Sequence, residues 1–185
     1  MSKSKILYIS DLHFGHKNIL TYDERPFYTV SEMDNTLIRN WNEVVKDKDV
    51  VYILGDVSWY DSEKTRDILR QLNGRKRLII GNHDSVSAKL TDCFEEIAPY
   101  AEIIDGNAKV ILSHYPIMFW NGQHRHSIHL YGHVHDTQEE VFTKMWRNEM
   151  REKTELPIRM YNVGCMKPYM DYTPRTLQYI IKHGG

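Results

Sequence analysis

Seven residues of this chain are of the kinds that hold divalent cations, and each stands at or just past the end of an apolar run. Ile6–Ile9 is followed by Ser10-Asp11-Leu12-His13, Val50–Leu54 by Gly55-Asp56, and Arg77–Ile80 by Gly81-Asn82. Lys109–Leu112 is followed by Ser113-His114, and Ile128–Tyr131 by Gly132-His133-Val134-His135. One such junction is an ordinary polar turn, because Gly, Asn and Asp favour turns. Five junctions drawn only from Asp, Asn and His are not what independent turns would give. Carboxylate, amide oxygen and imidazole suit Mn²⁺, Fe²⁺ and Zn²⁺, and no cysteine stands at a junction, which argues against a soft thiolate site. Asp11, His13, Asp56, Asn82, His114, His133 and His135 are too many ligands for one ion. They are about right for two if one carboxylate bridges, and Asp56 is the natural bridge. Two ions roughly 3.5–4 Å apart acidify water and clamp the oxygens of an in-line phosphoryl displacement.

Residues so far apart in sequence can meet only if the fold gathers the strand ends. At least two helical stretches separate the apolar runs, so much of the sheet is expected to be parallel with right-handed crossovers. In such sheets ligand sites lie along the carboxyl edge of the strands. Met33, Leu37, Ile38, Trp41, Val44 and Val45 are spaced as one helix behind a capping box at Ser31–Asp34. A second helix is expected from a Ser62 cap through Leu72, stopped by Asn73-Gly74. The spacing also predicts a short helix over 85–90, extended pieces at Glu96–Ala98 and Ala101–Ile104, and a strand over 158–161. Thr21–Tyr28 reads as irregular, and Thr173-Pro174 as the start of a last helix through Ile181. Val141, Phe142, Met145, Trp146 and Met150 form a stripe on a helix over 138–155, read as packing on the body.

At 185 residues the expectation is one domain, 1–185, with a sizeable core. A formal net charge of −1 argues against a broad electrostatic grip on nucleic acid. Two cysteines make no disulfide framework, and the apolar stretch after Lys3 and Lys5 is too short for a signal peptide. A reduced, cytoplasmic setting with no membrane span is the expectation.

Asp11-x-His13, Gly55-Asp56, Gly81-Asn82-His83-Asp84, His114 and Gly132-His133-x-His135 together resemble the motif set, in order, of the calcineurin-like metallophosphoesterase superfamily. Compact bacterial and phage members are the most similar, sharing stretches like Asp11–His16, His129–His133 and Asn162-Val163-Gly164. The resemblance implies an α/β fold, a two-sheet β-sandwich flanked by helices, with two divalent metal ions at the sheet edge. Manganese is the expected ion, with iron or zinc as alternatives. One ion would be held by Asp11, His13, Asp56 and His135, the other by Asp56, Asn82, His114 and His133. Catalysis would rest on a metal-bridging hydroxide attacking phosphorus in line. His83 would face the substrate and assist the leaving group, with Asp84 orienting its ring. Val57-Ser58-Trp59 departs from the charged residues many relatives place there. The segment 14–48 is longer than in minimal members, and its apolar helix favours core over a cover for the site.

Asn82, His16 and Arg125 are candidate substrate contacts, Arg125 through bidentate pairing with a phosphate oxygen. Lys17 and Asn18 lie beside His16. His129 reads as a packed structural residue, Arg75-Lys76-Arg77 as a solvated turn, and Trp41, Trp59, Trp120 and Trp146 as core. The expected substrate is a phosphate mono- or diester, with a nucleotide or nucleic acid within range. The alternatives are a nuclease or 2′,3′-cyclic nucleotide phosphodiesterase using the same metals, and a non-catalytic protein-binding scaffold. Scaffolds of that kind lose ligands or the substrate-facing histidine, and here all are present.

Overall fold

The structure, a computed structural model, describes residues 4–85 and 87–184. Lys3 lies outside them, as does Val86 within the short helix expected over 85–90. The apolar runs form β1 (Ile6–Ile9), β2 (Val50–Ile53), β3 (Arg75–Ile79), β4 (Glu96–Ala98), β5 (Tyr100–Asp105), β6 (Ala108–Ser113), β7 (Ile128–Tyr131), β8 (Met160–Asn162) and β9 (Arg175–Thr176). The helices are α1 (Ile19–Tyr22), α2 (Val30–Val44), α3 (Ser62–Gln71), α4 (Gln138–Thr154) and α5 (Leu177–His183).

The strands make two mixed sheets, ordered β4-β3-β2-β1-β9 and β5-β6-β7-β8. β1 to β4 are parallel, with Ile6 opposite Val50 and Val50 opposite Arg75, while β9 adds an antiparallel edge. In the second sheet β6, β7 and β8 are parallel and β5 is antiparallel. Alternation along the second sheet divides its two faces. Val110, Leu112, Ile128, Leu130 and Tyr161 join the main core with β1, β2 and the α2 and α3 residues Met33, Leu37, Trp41, Ile68 and Leu69. Ile111, Tyr131 and Met160 form a second core with Trp120, Val134 and Ile158, where Trp146 and Met150 of α4 pack. Past the end of β1, the Ser10 amide donates to Val163 O at 2.9 Å and the Cys165 amide donates to Ser10 O at 2.9 Å. This stitch joins the carboxyl ends of the two sheets along one edge.

Several expectations shift. The cap of α2 is Thr29, whose hydroxyl accepts from the Glu32 amide at 3.1 Å while Glu32 accepts from the Tyr28 amide at 2.8 Å, so the capping box begins two residues before Ser31. Asp61 caps α3, one residue before Ser62. α1 runs only into the first two residues of the stretch expected to be irregular, Thr21 and Tyr22, and the last helix starts only after β9, capped by Thr176. Around Val86, Ala88–Leu90 is a turn and a 3₁₀ turn follows at Thr91–Cys93. Arg75-Lys76-Arg77 opens β3, with Arg77 donating to the Tyr52 hydroxyl at 2.8 Å.

The largest correction concerns α4. Val141, Phe142 and Met145 are exposed, and Glu140, Thr143 and Arg147 are buried instead. Glu140 accepts from the Tyr131 hydroxyl at 3.1 Å and from Asn162 Nδ2 at 3.2 Å. Those buried donors need an acceptor, and supplying it turns three of the five stripe residues outward. Among the described residues no helix is long and apolar enough to cross a membrane.

Candidate metal centre

All seven candidate ligands reach the stitched edge. Asp11, His13, Asp56 and His135 each offer an atom within 4.8 Å of the others, and so do Asp56, His114 and His133. Asn82 closes the second group, with Oδ1 at 2.9 Å from both His114 Nε2 and His133 Nδ1. Asp56 belongs to both groups. Its Oδ2 is 3.8 Å from His13 Nε2 on one side and 3.5 Å from His114 Nε2 on the other.

The chain adopts an unfavourable backbone to achieve this. Five of the seven have positive φ: Asp11 (57°), His13 (52°), Asp56 (56°), His133 (68°) and His135 (46°). Left-handed backbone at non-glycine residues costs on the order of 1–3 kcal/mol each and collects at functional sites. The junction glycines serve close approach. A Cβ on Gly55 would lie 2.4 Å from His114 Nδ1, and one on Gly81 would lie 2.4 Å from Asp56 Oδ1.

The donor set fits cations. His114 Nδ1 lies 2.7 Å from Leu54 O, which fixes the N–H there and leaves the Nε2 lone pair aimed at Asn82 Oδ1 and Asp56 Oδ2. His135 Nδ1 lies 2.6 Å from Asp23 Oδ1, which leaves its Nε2 facing Asp11 Oδ1 at 3.5 Å and His13 Nε2 at 3.3 Å. Lone pairs converging in this way need a proton or a cation between them.

Electrostatics agree. Burial pushes the His13 imidazole down to about 2, against the pull of Asp11, so it is held neutral. Burial would raise the Asp11 carboxyl, but His135, His114 and His13 draw it well below the usual carboxylate range. Burial raises Asp56, opposed by His114 and reinforced by Asp11. His135 goes the other way: burial disfavours its charge, yet Asp11 and Asp23 carry it up to about 10, so this corner of the cluster favours positive charge.

A family model for calcineurin-like phosphoesterases matches residues 4–185. The chain belongs to the calcineurin-like phosphoesterase family. It is 33% identical over 168 residues to the gene 66 protein of Mycobacterium phage L5, a match covering 71% of this chain and 78% of that one. An uncharacterized protein of Methanocaldococcus jannaschii is 53% identical over 91 residues, which is 48% of this chain and 52% of the relative. The match thus spans about half that relative's length. The solved structure of a protein of unknown function from Aquifex aeolicus superposes with a TM-score of 0.74 at 27% identity, covering 97% of this chain and 99% of the other.

Within this family site, a cavity of about 380 Å³ opens over the first ligand group. His16 and Asn18 line it, as do Ile19, Tyr22 and Asp23 from α1 and its flanks; Lys17 does not. The segment 14–48 therefore serves both ends, since α1 walls the site while α2 fills core. His83 is exposed at the rim, its ring 4.3 Å from Trp59 and 6.2 Å from His13. Asp84 does not orient that ring. Its Oδ2 accepts from the Asp56 amide at 2.9 Å and the Gly81 amide at 2.8 Å, and its Oδ1 accepts from the Val57 amide at 2.8 Å. The carboxylate ties two ligand loops together, and its oxygens are already engaged by amides.

Arg125 is absent from the site. It lines a hollow with Asp105, Lys109 and Arg159, beside the starts of β6 and β7. The loop that precedes a parallel strand lies at the edge opposite its carboxyl end, so Arg125 could not share a pocket with His133. Trp59, expected in the core, is 41% exposed and stacks on His16 at 4.0 Å, forming a wall of the cavity. Asp23 and Arg25 were missed altogether. Arg25, 4% exposed, pairs with Asp23 at 2.9 Å and donates to the carbonyls of Asp11 and Leu12. No periodicity marks them; the only signal was an adjacent acid and base in a short segment just past the first ligand pair.

Proposed function

We propose that the protein hydrolyses phosphate mono- or diesters at two divalent cations, with manganese as the expected ion. The observation that carries this reading is the membership of Asp56 in both ligand groups. Asp11, His13 and His135 would complete the first ion's set, and Asn82, His114 and His133 the second's. Bound there, the cations would supply Lewis-acid charge and an acidified water, the chemistry of phosphoryl transfer to water. The protein's part is placement. Asp84 holds the Asp56 and Asn82 loops in register, and the Asp56 carboxylate also accepts from the His83 amide at 3.0 Å. His83 thereby stands at the mouth with no hydrogen bond to either ring nitrogen among the described residues. Its N–H is available to the ester oxygen as the P–O bond breaks, so the alcohol leaves protonated while water oxygen joins phosphorus.

The test is a metal titration with elemental analysis, paired with hydrolysis of p-nitrophenyl phosphate and bis(p-nitrophenyl) phosphate. Two equivalents of Mn²⁺ per chain and turnover of at least one ester are expected. Asp56→Asn, which suits positive φ but lacks the bridging charge, should lose both ions and the activity. A single ion per chain, or undiminished turnover in the variant, would sink the dinuclear reading.

A further inference from the structure

A second hollow, of about 520 Å³, lies against the metal cavity, and apart from His83 and Asp84 its lining has no part in the chemistry above. Trp59 and His83 line both spaces, so the indole and the imidazole form the partition between them. The two compartments differ in character. The metal cavity is lined by imidazoles and carboxylates that would hold cations and, through them, a phosphoryl group. The second hollow has Leu69, Leu78 and Phe94 in its lining, with Leu69 and Leu78 almost fully buried. Its charged lining groups are the carboxylates Asp61 and Asp84, with no lysine or arginine among the described residues that line it.

A phosphate ester is divided in the same way, into an anionic phosphoryl group and an organic alcohol joined by the bond that breaks. We propose that the second hollow holds the leaving alcohol, and that the preferred alcohol is uncharged, partly aromatic and about the size of a nucleoside. This rests on the phosphoesterase reading above and names its substrate class. The volume is within the range of small-molecule pockets. Trp59 and Phe94 offer aromatic surface, and Ser62 together with Asp61 offers polar partners to hydroxyl groups. A leaving group with phosphates of its own would meet the Asp61 and Asp84 carboxylates and no lysine or arginine among the described residues of the lining, so polynucleotides and polyphosphates are disfavoured. His83, at the partition, is where the ester oxygen would cross. The P–O bond breaks there, the alcohol oxygen takes a proton from the His83 imidazolium, water supplies the new oxygen on phosphorus, and the neutral ring regains its proton from solvent.

The experiment compares two primary alkyl monoesters on the Mn²⁺-loaded enzyme, adenosine 5′-monophosphate and 2-hydroxyethyl phosphate. It also titrates free adenosine, which carries no phosphate, into the protein followed by tryptophan fluorescence. In wild type kcat/KM should favour the nucleotide by about tenfold or more, equivalent to about 1.4 kcal/mol of extra contact. Ser62→Phe, at the first position of α3, should erase most of that ratio and weaken adenosine binding. Ser62→Lys instead adds a cation, and should raise kcat/KM for a leaving group bearing a second phosphate, such as that of 3′-phosphoadenosine 5′-phosphate, relative to the mononucleotide. A wild-type ratio near one, or ratios that neither variant moves, would overturn the assignment. Cleavage of neither monoester while bis(p-nitrophenyl) phosphate is still turned over would also overturn the assignment. Failure on every one of these esters would overturn the phosphoesterase reading itself, with the adenosine titration still showing whether the hollow binds.

Discussion

Buried histidines occur in two regions of this protein, and their ring nitrogens are used differently. On the outer face of the second sheet, His129 is fully buried with both nitrogens engaged by backbone. Nε2 accepts from the Ile117 amide at 2.9 Å, and Nδ1 lies 3.2 Å from Ile111 O. At the stitched edge, His114 and His135 each have one nitrogen fixed by an oxygen and the other aimed into the ligand cluster. His83 completes the series with neither nitrogen bonded among the described residues. Two satisfied nitrogens make a structural residue, one makes an oriented ligand, and none leaves a group able to carry a proton. Burial alone would not have separated His129 from His114.

The strongest break of this comparison is at His83. His83→Ala should slow alkyl esters by roughly 10²–10⁴-fold, the usual scale of general acid catalysis. p-Nitrophenyl esters, whose leaving oxygen needs little protonation, should lose far less, and the metal content should stay the same. Equal losses on both kinds of ester would mean that the ring does not act as the acid.

His129 gives the next largest effect, in stability rather than turnover. Burial pushes its imidazole down to about 4, against its hydrogen bonds to backbone. The neutral form is therefore the folded form, while the unfolded chain takes up a proton near pH 6.5. Above that pH both states are neutral and the stabilisation is complete. As pH falls from about 6.5 towards 4, the unfolded state binds the extra proton, and stability declines by on the order of 3 kcal/mol. His129→Gln can keep one accepted and one donated bond but cannot titrate. Urea unfolding at pH 7.5 and 4.5 should show a smaller pH loss in the variant than in wild type. Parallel losses would show that the closed pairing does not hold the ring neutral.

What could be read from the chain follows the same division. The clustering of the candidate ligands was legible because each stands at or just past the end of an apolar run, and a mostly parallel sheet gathers such ends at one edge. That argument needed residue type and position only, and it placed Asp56 between the two groups. Arg125 fails the same rule, since it precedes β7 instead of following it. The burial of α4 was illegible for another reason. Periodicity finds an apolar face, but Tyr131 and Asn162 required a buried acceptor, and Glu140 lies on the other face. Trp59 and the Asp84 carboxylate took roles set by their neighbours across space, which spacing along the chain does not encode.

Asp23 shows this most directly, and it offers the finest cut through the comparison. If one fixed nitrogen is what makes His135 a ligand, the group that fixes it should affect the first metal and leave the second alone. The choice of variant matters, because Asp23 also neutralises the buried Arg25 guanidinium. Asp23→Ala would strand that charge and cost roughly 3–5 kcal/mol of folding stability, hiding any local effect. Asp23→Asn keeps an oxygen for the His135 N–H and for Arg25, and removes only the charge that makes the ring a stronger donor to a cation. A loss of about 10–100-fold in affinity is typical when such an outer partner is changed. It should appear in one step of a two-step Mn²⁺ titration, with the step that depends on Asn82, His114 and His133 unmoved. If both steps weakened together, Asp23 would act through Arg25 and the Asp11 backbone; if neither moved, the ring would owe its orientation to packing.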